Sequence, residues 1–355
     1  MRICVISYHS SPLDPPGSGN SGGMNICISH LYQALSPFCE IDIFTYGSRR
    51  NTKLNSSIDV IYLDCQNLRN FADKVISYHN SRRYDIIHTH YWLSGVIGLL
   101  TMRKIKIPWI HSLHTVEMLK GIKRDQFRIE VEEEIIRVCN FIISPTHKEA
   151  FAIKEIYPKA RIITIPHGVD VRTFTPSIDG HSKLLFVGRI DPIKGLDLLI
   201  DALRLLKYDI ELDVIGGASK GEHYFESIKT YGDGLPVRFL GPIEHTELNQ
   251  SYMKSGMLIV PSYYESFGLV ALEAMASGRP VIGFDDTGLS ETVGADAGIL
   301  VKRNAQNLAQ AITSLIDNRE LRHNLGLIGR KKALGYKWEN IAQRYLMTYE
   351  KIIKG

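Results

Sequence analysis

The stretch Leu258–Phe284, LIVPSYYESFGLVALEAMASGRPVIGF, constrains the fold more than any other part of the chain. Leu258–Val260 reads as a strand end and Pro261–Ser266 as a turn. Phe267–Ser277 reads as an apolar helix, which Gly278-Arg279-Pro280 ends before a second strand starts at Val281. This is a βαβ unit with Glu265 in its turn and Glu273 in its helix, and ligands of open α/β sheets sit at the carboxyl ends of strands. A solvated helix face is the plain reading of a lone glutamate, since burying an unpaired carboxylate is costly. Leu272, Ala274 and Met275 crowd Glu273, however, and leave little room for solvation. Aimed into a cleft, its carboxylate could accept hydrogen bonds from two neighbouring hydroxyls, as on a ribose. Gly268, Ala271 and Ala274 would let backbone come close, and Glu265 would reach another part of the same ligand.

The same alternation runs through the chain. Arg2–Tyr8, Ile41–Thr45, Asp59–Leu63, Asp85–Thr89, Pro108–Ser112, Phe141–Ser144 and Ile162–Ile165 read as strands, with helical patterns between most of them. After Ile165–Pro176, whose Gly168 and two prolines fit a bend between domains, Lys183–Val187, Ile210–Ile215, Val237–Leu240 and Met257–Val260 begin a second series. With 355 residues, two domains are expected: 1–166, then a linker 167–182, then 183–337. A last helical pattern covers 338–355.

Several residues could carry chemistry. A Pro/Gly/Ser-rich loop ends at Gly22-Gly23-Met24-Asn25 and feeds a helix over Met24–Leu35, a place where backbone N–H groups bind anions. Arg189 and Lys194 flank a strand-to-helix turn after Gly188 and suit a diphosphate, one as a planar fork and the other as a point charge. Two strand ends carry histidines: His88, His90, Tyr91 and Trp92 on one, His111, His114 and Thr115 on the other. A zinc reading of His88, His90 and His114 finds no acidic or cysteine partner at matching spacing. Core or supporting roles suit His88 and His111, while His90, Tyr91 and His114 fit a cleft. Lys120, Lys123, Arg124 and Arg128 form a basic patch that could be solvated, hold an acceptor phosphate or face lipid. The patch is too interrupted by acids for a lipid-facing helix.

Composition narrows the class. Hydrophobic residues make up 44% and charged ones 23%, as in ordinary globular proteins. A net charge of +4 without a long basic block disfavours nucleic acid as a partner. Five scattered cysteines with no CxxC read as reduced thiols, and the first apolar run is too short for a signal peptide, so a cytoplasmic location is expected.

The block P-S-x-x-E-S-F-G-L-x-x-x-E-A-M-A-x-G-x-P-V-I resembles the signature of the retaining glycosyltransferases of family four, with their GT-B fold of two doubly wound Rossmann-like domains facing a central cleft. G-R-x-x-x-x-K-G, HGVD at the hinge, and P-x-G-x-x-N-S-G-G-M-N are similar to further motifs of that family, the last to a subgroup. That subgroup holds the inositol-phosphate N-acetylglucosaminyltransferase of mycothiol synthesis, sucrose-phosphate synthases, and transferases that glucosaminylate 2-deoxystreptamine. The resemblance implies donor or nucleotide contacts at Gly22, Gly23, Asn25, Gly188, Arg189, Lys194, Arg238, Glu265, Phe267, Gly268, Leu269, Val270 and Glu273. It implies catalytic roles for His114, Arg189, Lys194 and Glu265, and acceptor contacts at His90, Tyr91, Thr115 and Arg128. One departure stands out: the segment Asp64–Asn70, DCQNLRN, has no lysine where the mycothiol enzyme has one for the acceptor phosphate, and only Arg69 could substitute.

The expected function is therefore transfer of a sugar, N-acetylglucosamine from UDP-N-acetylglucosamine, to a cyclitol hydroxyl. The favoured acceptor is 2-deoxystreptamine, which would place the chain in antibiotic biosynthesis. Inositol-phosphate and sucrose-phosphate-type transfer remain alternatives, as does a nucleotide-sugar epimerase. The resemblance requires no cofactor or metal, and it implies that the helix over 338–355 packs back on the first domain. The partners are small molecules, a UDP-sugar and a cyclitol or sugar; a homodimer is compatible with the sequence. A dinucleotide oxidoreductase is disfavoured, since no G-x-G-x-x-G follows the first strand.

Overall fold

The computed structural model describes residues 1–14, 22–121, 124–177, 183–218 and 222–355. Most of the Gly-rich loop before Gly22, Lys123 of the basic patch, and the end of the linker lie outside these. The chain forms two compact units. The first takes Met1–Asp14, Gly23–Pro166 and Trp338–Gly355, and the second is built on His167–Lys337.

The first unit holds an eight-stranded sheet: β1 Arg2–Ile6, β2 Glu40–Tyr46, β3 Thr52–Asn55, β4 Ile58–Leu63, β5 Ile86–His90, β6 Trp109–Ser112, β7 Phe141–Ser144 and β8 Ile162–Thr164. The order is β3-β4-β2-β1-β5-β6-β7-β8. All pairs are parallel except β3 with β4. Parallel strands covered by helices on both faces are apolar on both sides, which is why β1 is a run of ICVI buried to 0% exposure. The antiparallel edge strand β3, TKLN, is mostly exposed and lacks that signal, so the sequence reading missed it. The helix Trp338–Lys354 packs on the helix Gly23–Leu35, with the rings of His30 and Trp338 stacked 5.8 Å apart.

The second unit holds β9 Leu184–Val187, β10 Leu212–Ile215, β11 Val237–Gly241, β12 Met257–Val260, β13 Val281–Phe284 and β14 Gly298–Val301, ordered β11-β10-β9-β12-β13-β14 and all parallel. Leu184, Phe186, Met257 and Ile259 enter one core, while Leu185, Leu258 and Val260 enter the other, the period-two alternation of strands. Among the parallel strands of each sheet the order reverses once, between β1 and β5 and between β9 and β12. Those reversals open the crevices where doubly wound sheets bind ligands.

Candidate functional site

In the second unit the crevice beyond β9 and β12 collects the charged residues singled out by spacing. Gly188 and Arg189 follow β9, and a short turn over Pro192–Lys194 ends at Gly195. Gly195 has φ 66°, and a Cβ there would lie 2.0 Å from the carbonyl oxygen of Pro261. Only glycine fits, and the fit presses the Lys194 turn against the loop after β12. A hydrogen bond from Tyr263 N to the Ile193 carbonyl, 2.8 Å, stitches the two together. Lys194 Nζ then reaches Glu265 Oε2 at 2.7 Å. Arg189 is exposed, and its guanidinium has no hydrogen-bond or ion-pair partner among the described residues. A lysine held by a carboxylate beside an uncommitted arginine gives a local excess of positive charge suited to a diphosphate.

Gly268, at φ 88°, turns the chain into the helix Leu269–Ala276, whose first-turn N–H groups (Leu269, Val270) lack intrahelical acceptors. The Phe267 ring is buried against His167, 5.1 Å between centroids, so its side chain serves the core. Glu273 is 3% exposed; its Oε1 lies 2.7 Å from His245 Nε2, and its Oε2 accepts from the Tyr252 hydroxyl at 3.0 Å. Burial alone would lower the His245 pKa, but the Glu273 carboxylate outweighs it and the net shift is upward. Each Glu273 oxygen keeps a further lone-pair direction. Neither His245 nor Tyr252 stands at a spacing that points to Glu273, and the sequence reading missed both.

Arg238 does not join this group. It faces Asp213 across the β10–β11 register, well before the carboxyl ends of the strands. Its guanidinium donates to both Asp213 oxygens at 2.8 and 3.0 Å and lies within ion-pair range of Glu211. Strand register, invisible in the sequence, sets this side chain among acids, so a contact of Arg238 with a base would come from its backbone.

In the first unit the expected residues gather at the ends of β5 and β6. His114 and Tyr91 adopt left-handed backbone, φ 59° and 71°. Such conformations at bulky residues are uncommon, cost about 1–3 kcal/mol each, and concentrate at working sites. Arg128 is 5% exposed, and its guanidinium donates to the Tyr91 hydroxyl at 2.8 Å, to Thr115 Oγ1 at 2.7 Å and to Glu132 Oε1 at 2.6 Å. It also sits 4.6 Å from the Tyr91 ring centroid. Glu117 Oε2 lies 3.0 Å from Arg128 and 2.5 Å from Lys120 Nζ, within ion-pair distance though not aligned for hydrogen bonding. Burial raises the Glu132 pKa despite Arg128. His90 Nδ1 and His114 Nε2 are 2.9 Å apart, bonded to each other rather than converging on one point. Among the described residues no His, Cys, Asp or Glu cluster is placed to hold a metal, and no helix is long and apolar enough to cross a membrane.

Gly23 opens the helix Gly23–Leu35, with Gly22 just before it. Asn25 is buried; its amide donates to Ser10 Oγ at 2.6 Å and to the Ser11 carbonyl, tying down the exit of β1. Arg69 is exposed in the first turn of the helix Leu68–Arg82, which Asn67 caps. His88 and His111 are fully buried, in line with supporting roles.

Two family profiles match: Glycosyltransferase Family 4 over residues 21–173 and Glycosyl transferases group 1 over 172–332. Proteins named D-inositol 3-phosphate glycosyltransferase from Kribbella flavida and Corynebacterium diphtheriae are 31% and 32% identical. Each alignment covers 98% of this chain, with 95% and 94% of the relatives. Among solved structures, sucrose-phosphate synthase from Thermosynechococcus elongatus aligns with TM-score 0.90 at 28% identity over 99% of both chains. Anabaena HepE, solved with UDP and glucose, shares the fold at TM-score 0.80 and 19% identity, over 99% of this chain and 100% of its own.

Proposed function

The chain belongs to the group 1, family 4 glycosyltransferases of GT-B fold, and from that premise we propose that it transfers N-acetylglucosamine from UDP-N-acetylglucosamine to a hydroxyl of an unphosphorylated cyclitol, 2-deoxystreptamine in first place. The observation that carries the donor half is the Lys194–Glu265 pair beside uncommitted Arg189 at the β9–β12 reversal. Arg189 and Lys194 take the diphosphate, with the N–H groups of Leu269 and Val270 beside them. Glu273 takes the ribose hydroxyls, and Glu265 and His114 the sugar. The bond from anomeric carbon to phosphate oxygen breaks as the acceptor oxygen bonds to the same face of that carbon. The acceptor's proton goes to the departing diphosphate, whose growing charge the two cations stabilise.

The acceptor assignment rests on charge. Tyr91, Thr115 and Arg128 form a hydroxyl-rich surface for a polyol, but Arg128 is already flanked by two buried carboxylates. A cation so compensated attracts a phosphate weakly, whereas acids nearby favour an amine. A phosphorylated cyclitol is the second reading, supported by the names of the D-inositol 3-phosphate glycosyltransferase relatives. The test is UDP release from UDP-N-acetylglucosamine with 2-deoxystreptamine, inositol 3-phosphate, fructose 6-phosphate or no acceptor. Release with 2-deoxystreptamine alone is expected. Release with inositol 3-phosphate alone overturns the acceptor assignment, and release without acceptor overturns transfer itself.

A further inference from the structure

A chain of hydrogen bonds runs from His114 into the core of the first unit. His114 Nε2 meets His90 Nδ1 at 2.9 Å, and His90 Nε2 meets the Tyr32 hydroxyl at 2.7 Å. The Tyr32 hydroxyl lies 2.9 Å from His88 Nδ1, which also faces the Tyr349 hydroxyl at 2.6 Å. His88 Nε2 ends the chain on Ser112 Oγ at 2.9 Å. Tyr32, His88, His90 and Tyr349 are all between 0% and 2% exposed. They come from the helix Gly23–Leu35, from β5 and from the helix Trp338–Lys354.

A neutral imidazole has one N–H and one lone pair, so each bond in such a chain dictates the direction of the next. Burial holds His88 neutral, its pKa pushed well below the ordinary value, with His111 and His114 adding to the shift. His88 Nδ1 faces two hydroxyl oxygens. If it carried the lone pair, only one hydroxyl could donate into it, and the other would set oxygen against nitrogen. If it carries the proton, that proton is shared by both oxygens, and the Tyr32 hydroxyl keeps its own hydrogen to give. Tyr32 then donates to His90 Nε2, and His90 Nδ1–H donates to His114 Nε2. The proton of His114 is left on Nδ1.

We infer that Tyr32, His88, His90 and Tyr349 are positioning residues that fix which ring nitrogen of His114 carries its proton, so that the last helix of the chain governs the reacting site. The inference rests on the reading that His114 touches the donor sugar. A protonated Nδ1 makes that nitrogen a hydrogen-bond donor, and the left-handed backbone at His114 holds the ring's attachment in place.

The experiment uses the full chain with histidine labelled by nitrogen-15, and long-range proton–nitrogen correlation to read each ring's tautomer. In the wild type, His114 is expected to show a protonated Nδ1 and a lone pair on Nε2. Tyr349→Phe and Tyr32→Phe should mix the two tautomers and lower kcat about tenfold, with KM for the UDP-sugar changed by less than about twofold. Tyr84→Phe serves as the control: it removes a buried hydroxyl bonded to Asp42, outside the chain, and should lower thermal stability while leaving kcat alone. A wild-type His114 protonated on Nε2, or unchanged tautomers and kcat in both variants, overturns the inference. Full turnover by His114→Ala would instead overturn the placement of His114 at the sugar, and the tautomer spectra would still judge the chain.

Discussion

The second unit holds its candidate site with charge at the surface of a crevice, and the first unit holds its own with buried hydrogen bonds. Arg189 is exposed and uncommitted, whereas Arg128 is buried and engaged by Tyr91, Thr115 and two glutamates. The difference fits the roles proposed for the two sites. A diphosphate brings its own charge, so its site can wait with an unpaired cation in water. On the proposed reading the acceptor presents hydroxyls and amines rather than a phosphate, so its site is a set of donors and acceptors whose arginine is balanced by carboxylates before the ligand arrives.

The sharpest way to break this contrast is to remove each arginine. Arg128→Ala leaves Glu132 buried without its cation and Glu117 with Lys120 alone, and should destabilise the fold by about 3–5 kcal/mol, read by denaturant unfolding. Arg189→Ala should change stability by less than about 0.5 kcal/mol yet lower kcat/KM about 10²- to 10³-fold. Comparable losses of stability in both would erase the distinction. A smaller effect is expected from Gly195→Ala. The strained backbone and the Pro261 carbonyl at 2.0 Å should cost about 1–3 kcal/mol, with weaker UDP binding by calorimetry. Unchanged UDP affinity would mean that the Lys194 turn does not set the nucleotide site.

The smallest effect concerns the pairing of His245 with Glu273. His245 has its pKa raised in the folded state, so its contribution is complete below the unfolded value near 6.5 and is lost as pH rises through the folded value. Melting temperature should therefore fall modestly from about pH 6.5 upward, and His245→Gln should flatten that slope. An identical slope in the variant would remove His245 as its source.

The charged half of the site was legible because it is local. Gly188, Arg189 and Lys194 lie in one turn, Glu265 and Glu273 in one βαβ unit, and the glycines mark where backbones must touch. Arg128 and Glu132, four apart on a helix, were within reach of the same reading. The rest depends on contacts that spacing does not encode. Tyr349 meets His88 across 261 positions of sequence, and His245 reaches Glu273 from a separate short helix. The pairing of Arg238 with Asp213 was not legible, because its motif gives the strand but not the register. The exposed strand β3 was missed because it has no apolar pattern.

The route of the chain has a consequence for how the protein is made. The main segment of the second unit is an insertion: it runs from His167 to Lys337, and Val169 and Lys337 meet there in an isolated bridge, with Val169 N bonded to the Tyr336 carbonyl at 2.8 Å. The first unit is therefore synthesised in two instalments, with that whole segment emerging between them. Domains generally fold as they emerge, so the inserted unit can complete its core while the earlier one still lacks Tyr345 and Tyr349. The unit that starts first finishes last, and its buried His88 gains the Tyr349 hydroxyl only when the final helix docks.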